Sequence, residues 1–121
     1  MEAVSTLTLE LPYPPPVNHY WRRVGARTLI SREGRWFRER VVSILAHRRV
    51  RLMTGPLAVR VIAHPPDRRR RDLDNITKAL LDALEKGGVY DDDSQIDRLL
   101  IERAQVVPGG KVIVHITEAK A

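Results

Sequence analysis

Cysteine is absent from this 121-residue chain, so neither a disulfide framework nor a thiolate metal site is open to it, which fits a reducing compartment. No apolar run approaches the roughly 18 to 20 residues of a membrane span. The N-terminus also lacks the charged start and apolar stretch of a signal peptide. The expectation is a cytoplasmic protein with no membrane association. Acidic residues are in deficit, with 15 Asp and Glu against 21 Lys and Arg, and the resulting charge of +6 asks for an anionic partner. Nucleic acid fits better than a membrane surface, because the arginines adjoin aspartates instead of lining one face of an amphipathic helix. No repeat, linker or low-complexity tail divides the sequence. With 43% apolar residues, positions 1–121 suit one domain with a modest core.

Hydrophobic periodicity supplies the element order. Thr6 to Leu11 alternates as a strand and stops at Pro12. Pro14, Pro15 and Pro16 then impose an extended course through Asn18, His19, Tyr20 and Trp21 to Arg22 and Arg23. A short strand, Arg27 to Ile30, leads to Ser31 as a helix N-cap with Glu33 in the first turn. Phe37, Val41, Ile44, Leu45 and Leu52 make the apolar stripe of that helix, which Thr54, Gly55 and Pro56 end. Its arginines Arg35, Arg38, Arg48 and Arg49 read as a solvated face. Leu57 to His64 is a strand, and a second helix starts near Asp72 to Asp74 and runs to about Lys86, with Gly87 and Gly88 as terminators. Ile96 to Val107 and Lys111 to Glu118 complete the set. The second helix can cross over between two parallel strands, and the turn at Pro108, Gly109 and Gly110 suggests an antiparallel hairpin between the last two. The fold expected is α+β, a two-layer domain with a mixed β-sheet and two main helices. His47 carries no recognisable constellation, His19 reads first as loop packing or a phosphate contact and second as a ligand or base, and His64 reads first as a cap on the core and second as a site contact. Tyr20 and Trp21 read first as packing residues and second as stacking surfaces for unpaired bases.

Chemistry concentrates in Pro65 to Lys78, PPDRRRRDLDNITK, and in the acidic run Asp91, Asp92 and Asp93. Arginine forks such as those of Arg68, Arg69, Arg70 and Arg71 bind phosphate oxygens bidentately. Carboxylates repel phosphate and sit beside it usefully only when a divalent cation bridges the two. Asp72 and Asp74 are two residues apart, so in an extended lead-in to the helix both face one cation. Lys78 lies one helical turn after Asp74. There it either forms an exposed ion pair worth about 0.3 to 0.5 kcal/mol or acts at a scissile phosphate. The helix carries the chain about 18 Å from Asp74 to Lys86, and Gly87 to Asp93 span at most about 23 to 25 Å when extended. Asp93 therefore returns by a nearly taut path or serves a site on a partner chain. A lone Asp-x-Asp is most often a cap or a solvated acid, and the arginines also read as its counter-charges. The order of basic run, acid pair, lysine and second acid cluster points instead to metal-assisted chemistry on a phosphate backbone.

Those residues carry a resemblance. Arg68 to Asn75, Lys78, Asp82-Ala83-Leu84 and Asp92-Asp93-Ser94-Gln95, with Leu11 to Pro15, Asn18, Tyr20 and Ile116-Thr117-Glu118 at the ends, resemble the RusA family of Holliday junction resolvases. The resemblance implies a Mg²⁺-dependent homodimeric endodeoxyribonuclease that cuts opposed strands of four-way junction DNA symmetrically. It implies that Asp72, Asp74 and Asp93 are the metal-binding aspartates, with Asp92 the alternative ligand, and that Lys78 is the catalytic lysine. Arg71 and Asn75 match positions flanking that centre, and Arg68, Arg69 and Arg70 would position the DNA backbone. A non-catalytic protein binding branched DNA is the rival reading, which metal-dependent nicking separates. A nucleotide-sugar transferase also uses Asp-x-Asp, but no nucleoside-binding unit is evident in so short a chain.

Overall fold

Alternating burial along the strands shows how the layers form. Leu57, Val59, Val61 and Ala63 of one strand, Val112, Val114 and Ile116 of another, and Leu9 and Leu11 of a third are all buried, while the residues between them are exposed or half-buried. A computed structural model describes residues 5–118. Its elements are β1 (Thr6–Leu11), a single helical turn α1 (Val17–Tyr20), β2 (Trp21–Val24), β3 (Arg27–Ile30), α2 (Arg32–His47), β4 (Leu57–His64), α3 (Thr77–Lys86), β5 (Ile96–Arg103) and β6 (Lys111–Glu118). Short 3-10 turns at Leu73–Ile76 and Asp93–Gln95 precede α3 and β5. The main sheet has the order β1-β6-β4-β5, and β2 and β3 form a separate antiparallel hairpin. Phe37, Val41 and Leu45 of α2 and Ala79, Leu80, Ala83 and Leu84 of α3 bury their stripes in the core that this face completes. The result is the expected α+β domain with a mixed sheet. No helix among the described residues is long and apolar enough to cross a membrane.

The sheet departs from expectation at its last strand. β4 and β5 are parallel, as the crossover through α3 predicts, but β5 and β6 are not a hairpin. β6 lies between β1 and β4, antiparallel to both. Burial explains the choice: β6 hides every second side chain, whereas Leu99 and Leu100 of β5 are 43% and 53% exposed, which suits an edge. Strand β5 also stops at Arg103, short of Val107. Beyond it, Ala104 N donates to Ala63 O (2.8 Å) and Val107 N to Pro65 O (3.0 Å), so this segment follows the chain leaving β4.

Helix α2 starts as its cap predicts, with Gly34 N donating to Ser31 Oγ at 2.9 Å. It ends at His47, earlier than Thr54. Arg49 takes a left-handed conformation (φ 54°), Val50 N donates to Leu45 O and Arg49 N to Ala46 O, each at 3.0 Å, which closes a Schellman motif. Leu52 is therefore off the helix and 47% exposed. The same motif ends α3 with Gly88 in the left-handed position (φ 86°), Val89 N donating to Leu84 O at 3.0 Å. The stretch expected to be extended after the prolines contains α1 and β2, and Ser31 N donates to Tyr20 O (2.9 Å) to fasten it onto α2.

Candidate functional site

The arginine loop leaves the end of β4 and is organised by Asp67, which residue spacing alone does not single out. Asp67 Oδ1 accepts from Arg71 Nη1 at 2.6 Å and from Arg69 N at 2.9 Å, and its Oδ2 accepts from Arg69 Nη2 at 3.3 Å. The Arg71 guanidinium, with the Arg69 amide, holds the Asp67 carboxyl well below the usual carboxylate range. Arg103 in turn donates to the carbonyl of Arg71. The run's internal counter-charge is thus Asp67, which lies four residues before Arg71. Arg68 and Arg70 are exposed and form no ion pair among the described residues, which leaves them free for phosphate.

Asp72 and Asp74 flank the start of the 3-10 turn, both exposed, and neither side chain has a hydrogen-bond or ion-pair partner among the described residues. Asp72 occupies the N-cap position in an extended conformation (φ −90°, ψ 135°) without capping through its side chain. The helix proper begins at Thr77, so the expected helical start at Asp72 to Asp74 is this tighter turn. Lys78, in the first turn of α3, is also exposed and does not pair with Asp74 among the described residues. A cavity of about 490 Å³ beside them is lined by Tyr13, Pro66, Arg70, Arg71, Asp72 and Asn75, among others. The Asp72 carboxylate and the arginines Arg70 and Arg71 therefore share one wall.

The acidic loop is anchored from below. Tyr90 is buried and donates to Leu81 O on α3 (2.6 Å), and burial, with the field of Asp93 and Glu85, pushes its hydroxyl pKa far up. Asp92 caps the second 3-10 turn: Ser94 N donates to Asp92 Oδ1 at 2.9 Å, and Gln95 Oε1 accepts from Asp92 N at 3.2 Å. Those bonds from Ser94 hold the Asp92 carboxyl below its usual value. Gln95 Nε2 then donates to Met53 O and Gly55 O, at 3.2 and 3.0 Å, and locks the loop to the start of β4. Asp93 N donates to Glu85 Oε1 at 3.1 Å, and carboxylate oxygens of Glu85, Asp92 and Asp93 lie within 4.8 Å of one another. This all-oxygen donor set suits a hard divalent cation such as Mg²⁺. Glu85 was not singled out from the sequence, although it follows Lys78 and Asp82 along one stripe of α3.

Asp72, Asp74 and Asp93 do not converge within one chain. Among the described residues the only such acidic group is Glu85, Asp92 and Asp93. Topology gives the reason: Asp72 and Asp74 follow the C-terminal end of β4, whereas Asp93 precedes β5, whose start at Ile96 pairs with Leu57 at the N-terminal end of β4. Helix α3 runs between the two places, and at 1.5 Å per residue it sets Asp74 and Glu85 about 16 Å apart along its axis.

A further charged cluster pins α3 to its neighbours in the helical layer, α1 and α2. Asp82 Oδ2 accepts from Arg38 Nη2 of α2 at 2.7 Å and from the hydroxyl of Tyr20, and Arg38 Nη2 also donates to Tyr20 Oη at 3.3 Å. Burial and the bond to Asp82 push the Tyr20 hydroxyl up to about 12. Burial favours the neutral form of Asp82, but the bonds from Tyr20 and Arg38 outweigh it and keep its pKa low. Arg38 is thus a structural residue and not part of a solvated face. His64 Nδ1 donates to Gln105 O at 2.9 Å and His19 Nδ1 stands 3.9 Å from Glu33, so both histidines stay outside the acidic centre.

Exposed, unpaired carboxylates behind an arginine loop, on a basic α+β scaffold, define a class of protein built to handle a phosphate backbone. Residues 12–117 match the family model for endodeoxyribonuclease RusA, so the chain belongs to the RusA family and is a nuclease. It is 45% identical over 112 residues to the crossover junction endodeoxyribonuclease rusA of Enterobacteria phage HK97, covering 92% of this chain and 93% of that protein. It is 40% identical over 116 residues to the crossover junction endodeoxyribonuclease RusA of Shigella sonnei (strain Ss046) and 39% identical to that of Escherichia coli (strain K12), each covering 95% of this chain and 97% of the relative.

Proposed function

We propose that this nuclease is a cytoplasmic, Mg²⁺-dependent homodimer that resolves four-way junction DNA by paired symmetric nicks in recombination and repair. The observation that carries this reading is the exposed Asp72 and Asp74 pair, which has no side-chain partner among the described residues, while Asp67 takes Arg69 and Arg71. Support for the substrate comes from the relatives, which are crossover junction endodeoxyribonucleases. Bound Mg²⁺ would supply charge to polarise the scissile phosphate and to make water a better nucleophile. Asp72, Asp74 and Asp93 would hold it, Arg68 and Arg70 would seat the strand, Asn75 would hydrogen-bond at the cavity wall, and Lys78 would offset charge on the phosphorus. Asp92, already committed to its cap, would serve mainly to fix Asp93.

The two acidic groups sit at opposite ends of α3, so a complete site takes Asp72 and Asp74 from one protomer and Asp93 from its partner. That arrangement requires a homodimer and yields two equivalent sites related by a two-fold axis, which symmetric cutting needs. The direct test is incubation with labelled four-way junction and linear duplex, with and without Mg²⁺. Paired nicks confined to the junction and to Mg²⁺ are expected. Tight junction binding with no cleavage at any Mg²⁺ concentration would leave only a branched-DNA-binding protein.

A further inference from the structure

Trp36 lies on the outward face of α2 and is 56% exposed, an unusual place for one of only two tryptophans in the chain. Arg32 and Arg40 stand one turn before and after it on the same stripe, and the guanidinium of Arg40 sits over the indole, 6.0 Å from the ring centroid. A hollow of about 440 Å³ on one side is lined by Arg22, Arg32, Arg35, Trp36 and Glu39. A second, of about 370 Å³, is lined by Tyr13, Pro15, Arg32, Glu33 and Trp36. Tyr13 also walls the cavity that holds Arg70, Asp72 and Asn75. Tyr13 is thus a wall shared by the hollow beside the indole and the cavity that Asp72 lines.

From this arrangement we infer that Trp36 is a stacking platform for an unpaired nucleobase of a branched DNA strand whose phosphates run across Arg22, Arg32 and Arg35 towards Asp72. Charge decides the occupant. Four arginines (Arg22, Arg32, Arg35 and Arg40) against Glu33 and Glu39 make the patch cationic, so a second copy of the same face would meet like charge. A base offers an aromatic face for the indole and brings its own anionic backbone for the arginines. The inference rests on the junction-cutting reading and deepens it, since bases are unpaired in such a substrate at or near the branch point.

The test places 2-aminopurine at the branch point of a four-way junction and measures its emission and the binding affinity without Mg²⁺, for the full chain and for Trp36→Ala and Trp36→Phe. Wild type is expected to quench the probe. Trp36→Ala should lose the quenching and bind the junction about 5- to 160-fold more weakly, while Trp36→Phe returns to within about threefold of wild type. Because neither change alters charge, the salt dependence of binding should be unaffected. Linear duplex affinity should also hold, and melting temperatures should match because the ring is exposed. The inference is overturned if Trp36→Ala binds the junction like wild type, loses duplex binding equally, or is not rescued by Phe. In those cases junction binding and cutting by wild type still stand. Failure of wild type to bind the junction at all would instead remove the junction-cutting reading and this inference together.

Discussion

Neighbouring charges in the arginine loop should affect DNA binding with opposite sign. Arg68 and Arg70 are exposed and unpaired among the described residues, whereas Asp67 holds Arg71 at 2.6 Å and Arg69 at 3.3 Å. Each phosphate neutralised contributes about −0.9 to the slope of log affinity against log salt, so Arg68→Ala with Arg70→Ala should flatten the slope by about 1.8. Between 50 and 200 mM salt that is about a 12-fold smaller loss of affinity. Asp67→Asn removes an anion and releases Arg69 and Arg71, so it should steepen the slope by about 1 to 2. Fluorescence anisotropy of a labelled four-way junction across that salt range, without Mg²⁺ so that no strand is cut, reads all three slopes. An unchanged slope in the double arginine variant, or a flatter one in Asp67→Asn, would refute the division of this loop into a paired and a phosphate-binding part.

The Asp82 cluster sets an acid limit on stability. Its folded pKa is depressed, so its contribution is present above the unfolded value of about 3.9 and is lost as pH falls through the folded value. Asp82→Asn should cost about 1.5 to 3 kcal/mol at pH 7 in urea unfolding and should flatten the acid limb, whereas an unchanged limb would exclude the cluster as its source. Asp92 and Asp93 should separate cleanly: Asp92→Ala removes a cap worth about 1 kcal/mol and lowers the melting temperature, while Asp93→Asn leaves it unchanged and stops cleavage. Lys78→Ala should slow single-turnover cleavage by about a hundredfold or more with no loss of melting temperature, since Lys78 forms no ion pair among the described residues.

Local signals in the sequence were readable wherever the residue type itself imposes the structure. The alternation in β1, β4 and β6, the Ser31 cap and the Gly88 terminus of α3 all follow from side-chain periodicity or backbone freedom. The end of α2 did not, because an arginine, Arg49, occupies the left-handed position that usually calls for glycine. Strand order failed for a different reason. The turn at Gly109 and Gly110 reverses the chain, but whether β6 then lies beside β5 or inserts next to β4 depends on non-local burial. The acid pair and the arginine run were evident as chemistry, yet their partners were not. Asp67 is an ordinary loop residue until its distance to Arg71 is known, and Glu85 joins Asp92 and Asp93 only once Tyr90 anchors the loop beneath α3.

Subunit complementation on a four-way junction asks whether each site is shared between two protomers. Asp74→Asn and Asp93→Asn homodimers should each bind the junction and fail to cut it, because every site then lacks one carboxylate. When the two are mixed and allowed to exchange subunits, one site of each heterodimer joins the intact Asp72 and Asp74 of one protomer to the intact Asp93 of the other. Mg²⁺-dependent nicking should then return, on one strand per junction. No recovery in a mixture shown to contain heterodimers, or near wild-type cutting by either well-folded homodimer, would contradict such a shared site.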